Sequence, residues 1–429
     1  MFFFGLSSRF RKLAASVVFV GLAFLYGWMV MRSFAASQLA EDADAPERLQ
    51  RALALAPGNA EYLTLLGRHY YRQGAREDKD KALARYYQAL QHNPFDAWCW
   101  YQLSYLYLAR GDTAAAERAL RTAERLNPQS ASLAWATGNF WLDQGKVVAA
   151  MDRFRTALEH NPELDTAVFE ICWDVKLDPA AILGNVIPNR PPLLLTYLSF
   201  LIENEKVAAA TETWHKLVRL AQPLGSSQAF DSIGLYADFL IRHQEPAQAG
   251  LAWRQFFELW SGNPLPFSKE NLIYNGSFEE EISNRGFDWR ITESEHARIR
   301  TDTGFAQNGH RSLYITFDGK ENLEFNNIYQ LVPVEPNTRY FFSGFVRTEH
   351  ITSDQGPRFE IRDYYAPDRW HVATNGLVGS NDWLEQTLEF TTGPDTRLVA
   401  LHIARTPSER LANLIQGKVW IDNIRLTRL

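Results

Sequence analysis

The segment ALARYYQALQHNP (82–94) returns as AERALRTAERLNP (116–128) and again as AMDRFRTALEHNP (150–162). Each holds a small residue, a bulky one four places on, a small one three further and a proline five further: Ala82, Tyr86, Ala89, Pro94; Ala116, Leu120, Ala123, Pro128; Ala150, Phe154, Ala157, Pro162. APERLQRALALAP (45–57) opens the series with Ala45, Leu49, Ala52 and Pro57, so successive prolines lie 37, 34 and 34 residues apart. Spacings of three and four place residues on one face of a helix. Small residues let two antiparallel helices approach, the bulky one fills the space between them, and proline stops the second helix before the next unit. A second set lies upstream in each unit: Leu63, Leu66, Gly67, Tyr70; then Trp100, Leu103, Ser104, Tyr107; then Ala134, Thr137, Gly138, Trp141. The three extra residues of the first gap are expected in the polar turn Gln73–Asp80.

This pattern resembles the tetratricopeptide repeat over residues 45–162. From 163 to 262 it decays, although Ala210 with Trp214 and Ala249 with Trp253 keep the spacing of four. The stretch Asp178–Pro192 carries Pro179, Pro188, Pro191 and Pro192, so an irregular joint is expected there, with degenerate repeats after it. The resemblance implies a scaffold that holds a protein or peptide partner on its first helices. Off their core face these carry Arg68 and Tyr71, then Trp98, Tyr101 and Tyr105, then Trp135 and Asn139. Trp, Tyr and Arg are the usual anchors of interaction surfaces; the alternative is that some of these rings pack between repeats. Cys99 and Cys172 fall two repeats apart, too far for a bridge, and read as small buried hydrophobes.

Toward the N-terminus, Leu13–Met31 is a 19-residue run without a charge. As a helix it would span roughly 28 Å, close to the hydrocarbon thickness of a bilayer. Arg9, Arg11 and Lys12 precede it and Arg32 alone follows, which places the N-terminus in the cytoplasm and the rest outside it. We read an uncleaved anchor in a bacterial inner membrane, the bulk of the chain periplasmic or extracellular; the alternative is a signal peptide cleaved near Ser33-Phe34-Ala35. The first repeat helix, near Pro46–Leu55, is expected to follow the span by about fifteen residues.

Toward the C-terminus the period changes near residue 265. Alanine becomes scarce, and RSLYITFDG, NIYQLVPV, RYFFSGFVRTE, RFEIRDYY, EQTLEFTT, RLVALHIAR and KVWIDNIRL alternate between Gly, Asn, Asp and Pro. Seven or more strands over this length argue a β-sandwich. The order of NLIYNGSFEE, Trp289, GHRSLYITFDG, YQLVPVEPNTRYFFSGFVRTE, DWLEQTLEFTT and GKVWIDNIRL resembles carbohydrate-binding modules of the galactose-binding-like jelly-roll type. That resemblance implies a structural calcium ion between Glu279 and Asp422; the alternative has Asp422 accepting backbone N–H bonds and Glu279 solvated. Trp289, Trp383 and Trp420 are expected in the core. Tyr364, Tyr365 and Trp370, in the loop DYYAPDRWHVATNG, are the expected sugar contacts, unless that loop docks back on the sheet or the repeats.

The whole is therefore expected to be multidomain: a cytoplasmic N-terminus and transmembrane helix (1–36), an all-α repeat solenoid (37–264) and an all-β jelly-roll sandwich (265–429). With 44 basic and 50 acidic residues the net charge is −6, which excludes a generic nucleic-acid binder, and two cysteines exclude a disulfide scaffold. No His-Glu-x-x-His, Gly-x-Ser-x-Gly or phosphate-cradling loop occurs. The expected role is a membrane-anchored, non-enzymatic scaffold binding a protein partner and a polysaccharide, as in cell-envelope or exopolysaccharide assembly. The rival readings are a purely structural assembly protein without glycan binding, and a glycan-active enzyme.

Overall fold

The computed structural model describes residues 9–41, 45–224, 227–260 and 271–429. The chain divides into two compact units, Met1–Leu164 and Asp165–Leu429. The boundary expected at 264/265 lies outside the described residues.

The first unit opens with α1 (Arg9–Ala40), whose Leu13–Ala40 stretch is long and apolar enough to cross a membrane. Its apolar side chains from Leu13 to Met31 are exposed around the helix. The boundary expected at 36/37 falls inside α1, because nothing in RSFAASQLA breaks a helix. Ala36 is buried against Ala52 and Tyr62, so the end of α1 packs on α2 (Pro46–Leu55) as one half of a helix pair. The pairs α3 (Ala60–Gln73) with α4 (Arg76–His92), α5 (Ala97–Ala109) with α6 (Thr113–Leu126), and α7 (Ala131–Asp143) with α8 (Val147–His160) follow. Asn59, Asp96, Asp112 and Ser130 cap α3, α5, α6 and α7 by accepting a backbone N–H three residues on. A Cβ at Gly67 would lie 2.6 Å from the Tyr86 ring, and one at Gly138 2.6 Å from Phe154. These are the close approaches that the spacing of small and bulky residues predicts. The extra residues of the first gap are not in a turn. Only Gly74, at φ 80°, and Ala75 separate α3 from α4, and α4 is 17 residues long against 14 for α6 and α8. Glu77 and Asp78 suit its first turn, and the added length is paid into helix.

The second unit holds α9 (Asp165–Asp174), a short α10 (Pro179–Ala181) running into a π-helical turn (Ile182–Val186), α11 (Pro191–Glu203), α12 (Val207–Leu220), α13 (Ser227–Arg242) and α14 (Pro246–Trp260). The irregular joint thus lies where the prolines predict it. Lys216 Nζ donates to the carbonyls of Leu183 (2.5 Å) and Ile187 (3.5 Å), groups that the irregular backbone leaves open.

Among the described residues ten antiparallel strands follow in this unit: β1 (Arg290–Ile291), β2 (Ala297–Asp302), β3 (Ser312–Asp318), β4 (Phe325–Pro333), β5 (Arg339–Ile351), β6 (Arg358–Asp363), β7 (His371–Ala373), β8 (Gly379–Thr391), β9 (Leu398–Arg405) and β10 (Gln416–Arg428). They form two five-stranded sheets, β1-β4-β9-β6-β7 and β2-β3-β10-β5-β8, with Trp289, Phe342, Phe359, Leu401 and Ile421 in the core. Trp383 is only half-buried, on the edge strand β8. Trp420 is buried outside that core, among Tyr314 and Phe305, its indole N–H bonded to Asp302 at 2.8 Å. Arg405 is 1% exposed, and its guanidinium donates to the carbonyls of Gln355, Leu323 and Asn413 and to Asn322 and Ser353, tying three loops together.

The sandwich packs on the last helix pair. Trp253 of α14 faces Tyr274 and Phe287, and Gly286, at φ 57°, leaves it room: a Cβ there would lie 2.5 Å from the indole. Asp238 of α13 accepts from Gly286 N (3.1 Å) and from Arg290.

Candidate functional site

In the first unit, α5 presents three of the expected partner contacts together. Trp98, 40% exposed, meets Tyr101 edge-on at 5.4 Å, Tyr101 meets Tyr105 at 5.2 Å, and Tyr105 meets Phe140 of α7 at 4.9 Å. The Tyr101 hydroxyl donates to that of Tyr105 at 3.4 Å, and burial raises both phenol pKa values, so both stay neutral. Arg68 and Tyr71 are half-buried one pair earlier. Trp135 instead tilts onto Phe154 at 5.5 Å, and the Asn139 amide is spent on the Trp135 carbonyl at 2.8 Å. Cys99 and Cys172 are buried, and burial pushes both thiols up to about 12, which leaves them unreactive.

Of the residues expected at a sugar site in the sandwich, Tyr364 and Tyr365 meet edge-on at 5.2 Å, while Trp370 points elsewhere into the loop's packing. Tyr364 is 40% exposed, but the Tyr365 hydroxyl donates to the Ile241 carbonyl of α13 at 2.8 Å. Trp370 packs against Phe390 at 5.3 Å. The loop therefore docks on both helix and sheet, because Asp363, accepting from the backbone of Tyr365 and Ala366 and from Thr396, folds it back.

Glu279 and Asp422 do converge on one loop, but as acceptors. Asp422 Oδ2 takes the N–H groups of Gln307 (2.7 Å) and Asn308 (2.9 Å), and Oδ1 that of Asn423 (2.6 Å). Glu279 Oε1 takes those of His310 (2.6 Å) and Arg311 (2.9 Å). Among the described residues no cluster of three or more His, Cys, Asp or Glu could hold a metal ion. Carboxylate oxygens already facing N–H dipoles do not fit calcium, which needs six to eight oxygens turned toward it. The pair instead clamps the loop 305–311 to the first and last segments of the sandwich.

A different set of side chains forms a continuous surface. Along the outer face of the β1-β4-β9-β6-β7 sheet, Arg290 pairs with Tyr329, Tyr329 with His402, His402 with Glu360 and Glu360 with Ala373. This row crosses all five strands, about 19 Å at about 4.8 Å per strand. Tyr329 and His402 stack at 5.2 Å with 24° between planes, and Arg290 lies 6.0 Å from the Tyr329 centroid. Glu360 is bonded to Arg358 at 2.9 Å. His402 is 9% exposed, and burial first, then Arg362, lowers its pKa to about 4, so the imidazole is neutral. Its Nδ1 is buried with no hydrogen-bond partner among the described residues. One register step along, Leu331 and Ala400 also face outward yet are buried, where α14 packs along β4. The row thus has a helical wall on one side, and Asp238 of α13 holds its Arg290 end.

Residues 270–408 match the family model described as a carbohydrate binding domain. Residues 101–165 match a tetratricopeptide repeat model. The repeats thus suggest protein–protein interaction and the sandwich carbohydrate binding, and both module types are non-catalytic. Among curated proteins, the chain is 27% identical over 181 residues to the tRNA(Glu)-specific nuclease WapA of Bacillus subtilis subsp. natto (strain BEST195). It is 25% identical over 181 residues to the tRNA nuclease WapA of Bacillus subtilis (strain 168). Each match covers 39% of this chain and spans 7% of the relative's length. Among solved structures, a family 16 carbohydrate binding module is 18% identical, covering 37% of this chain and 99% of that one at a TM-score of 0.26. The structure of Pseudomonas aeruginosa pilF is 19% identical, covering 48% and 93% at a TM-score of 0.26.

The row escaped the sequence reading because its members come from strands far apart in sequence. The one local signal is His402, a polar residue inside the apolar run LVALHIAR (398–405).

Proposed function

We propose that this chain is a membrane-tethered, non-catalytic scaffold that holds a protein partner on its repeats and a carbohydrate on its sandwich. The observation that carries the carbohydrate half is the Arg290–Tyr329–His402–Glu360 row. A stacked pair of rings offers an apolar platform to the C–H face of a sugar. The flanking Arg290 and Glu360 offer hydrogen bonds to its hydroxyls. The aromatic ladder on α5, with Trp98 foremost, supports the protein half. The basic residues Arg9, Arg11 and Lys12 before the apolar run support a single-pass anchor with the repeats and sandwich outside the cytoplasm. A tether, a protein-holding spacer and a glycan-reading sheet suit assembly or export of a cell-envelope polysaccharide. The nuclease activity named for the curated relatives forms no part of this proposal, since the match spans 7% of their length.

Affinity electrophoresis of the detergent-solubilised full chain through gels containing neutral polysaccharides tests the reading. Retardation by at least one polysaccharide is expected, and His402→Ala and Tyr329→Ala should each weaken it by about tenfold or more, the worth of one lost stacking or hydrogen-bond anchor. Unchanged retardation in both variants moves the site elsewhere. No retardation in any gel favours the second reading, a structural protein whose sandwich serves only as an assembly module. That reading draws on the helical cover over Leu331 and Ala400 and on the docked Tyr365.

A further inference from the structure

A second cleft lies where α14 meets the ends of β4 and β10. It encloses about 880 Å³ and is lined by Gly250 and Arg254 of α14, Pro333 and Glu335, Arg397 and Arg428. Gly250 brings α14 down onto the sandwich: a Cβ there would lie 3.0 Å from the Pro333 ring. Three arginines from three separate segments therefore line one space, with one glutamate among them. Glu335 is already bonded to Arg428 at 2.6 Å. Neither Arg254 nor Arg397 makes an ion pair or a side-chain hydrogen bond among the described residues. Some arginines of this unit are matched, as Arg290 is by Asp238 and Arg358 by Glu360. A planar guanidinium fork fits a carboxylate in a bidentate manner and stays charged at any physiological pH.

We infer that this cleft is a second ligand site that takes an anionic sugar, the carboxylate of a hexuronate unit being held between Arg254 and Arg397. The inference rests on the carbohydrate reading above for the class of ligand, but on none of the residues of the Tyr329–His402 row. The row crosses β4 at its middle and the cleft lies at its end, Tyr329 and Pro333 being four residues apart, about 13 Å in a strand.

Isothermal titration of the full chain in a neutral detergent, at low salt, with hexa-galacturonate is the test. Wild type should bind. The double variant Arg254→Gln, Arg397→Gln should bind at least about tenfold more weakly, as loss of charge-assisted hydrogen bonds requires. Both side chains are exposed, so the fold should survive, and an unchanged melting curve checks that. Raising salt tenfold should weaken wild-type binding and leave the double variant's residual binding nearly unmoved. The double variant should keep its retardation in neutral-polysaccharide gels within about twofold, so failure of the row and failure of the cleft are read separately. Three results would overturn the inference: no binding of hexa-galacturonate by wild type, equal binding by the double variant, or binding of inorganic phosphate at the same arginines without any of hexa-galacturonate.

Discussion

An imidazole pressed into a sheet face is a pH-dependent part of the fold. Burial holds His402 near a pKa of about 4, against about 6.5 for an unperturbed histidine. As pH falls, the unfolded chain therefore takes up this proton first. The stability His402 supports is whole above pH 6.5 and drains away between 6.5 and 4, by about 3 kcal/mol. Urea unfolding followed by tryptophan fluorescence at pH 7.5 and 4.5 should show wild type losing about that much more than His402→Gln; equal losses would mean that the ring is not held neutral. At this scale the sequence is legible only where neighbours are local. The caps Asn59, Asp96 and Ser130 act over three residues. Arg405 finds its acceptors 8 to 83 residues away, and His402 its stacking partner on another strand, so neither role has a local pattern.

A helix pair in the repeats is built around one close approach. The ring of Phe154 occupies the space a side chain at residue 138 would need, and Tyr86 does the same to residue 67. In the intervening unit the corresponding positions hold Ser104 and the shorter Leu120, so the slightly larger small residue goes with a smaller bulky one. Gly138→Ala should destabilise the first unit by about 1–3 kcal/mol, because a core with no spare room must move the helices apart. Adding Phe154→Leu should restore part of this in a double-mutant cycle read by thermal unfolding; strict additivity would separate the two residues. This coupling was legible because helical spacing carries it within one or two turns. The placement of the three added residues was not: a polar run such as AREDKD suits a solvated turn and an exposed first turn of helix equally well, and the structure puts it in α4.

For the molecule as a whole, the switch from helical to alternating spacing marks where strands begin, and the ten strands follow it. The helices α9–α14 and both sheets belong to one compact unit. The contacts that join them, Trp253 over Gly286 and Asp238 on Arg290, link residues that no periodicity relates. A fragment of residues 265–429 would uncover Tyr274, Phe287, Leu331 and Ala400, all buried in the intact unit. It should melt about 5 °C or more below a 165–429 fragment, or aggregate, as differential scanning fluorimetry would report; equal melting points would show that the helices add nothing to the sandwich. At the other end, α1 runs without a break from its apolar stretch into its seat against Ala52 and Tyr62. With that stretch in a bilayer, the stem fixes the azimuth of the repeats as well as their height. One residue inserted at Arg32 would swing them by about 100° and lift them by about 1.5 Å, enough to turn the aromatic ladder away from a neighbour embedded alongside.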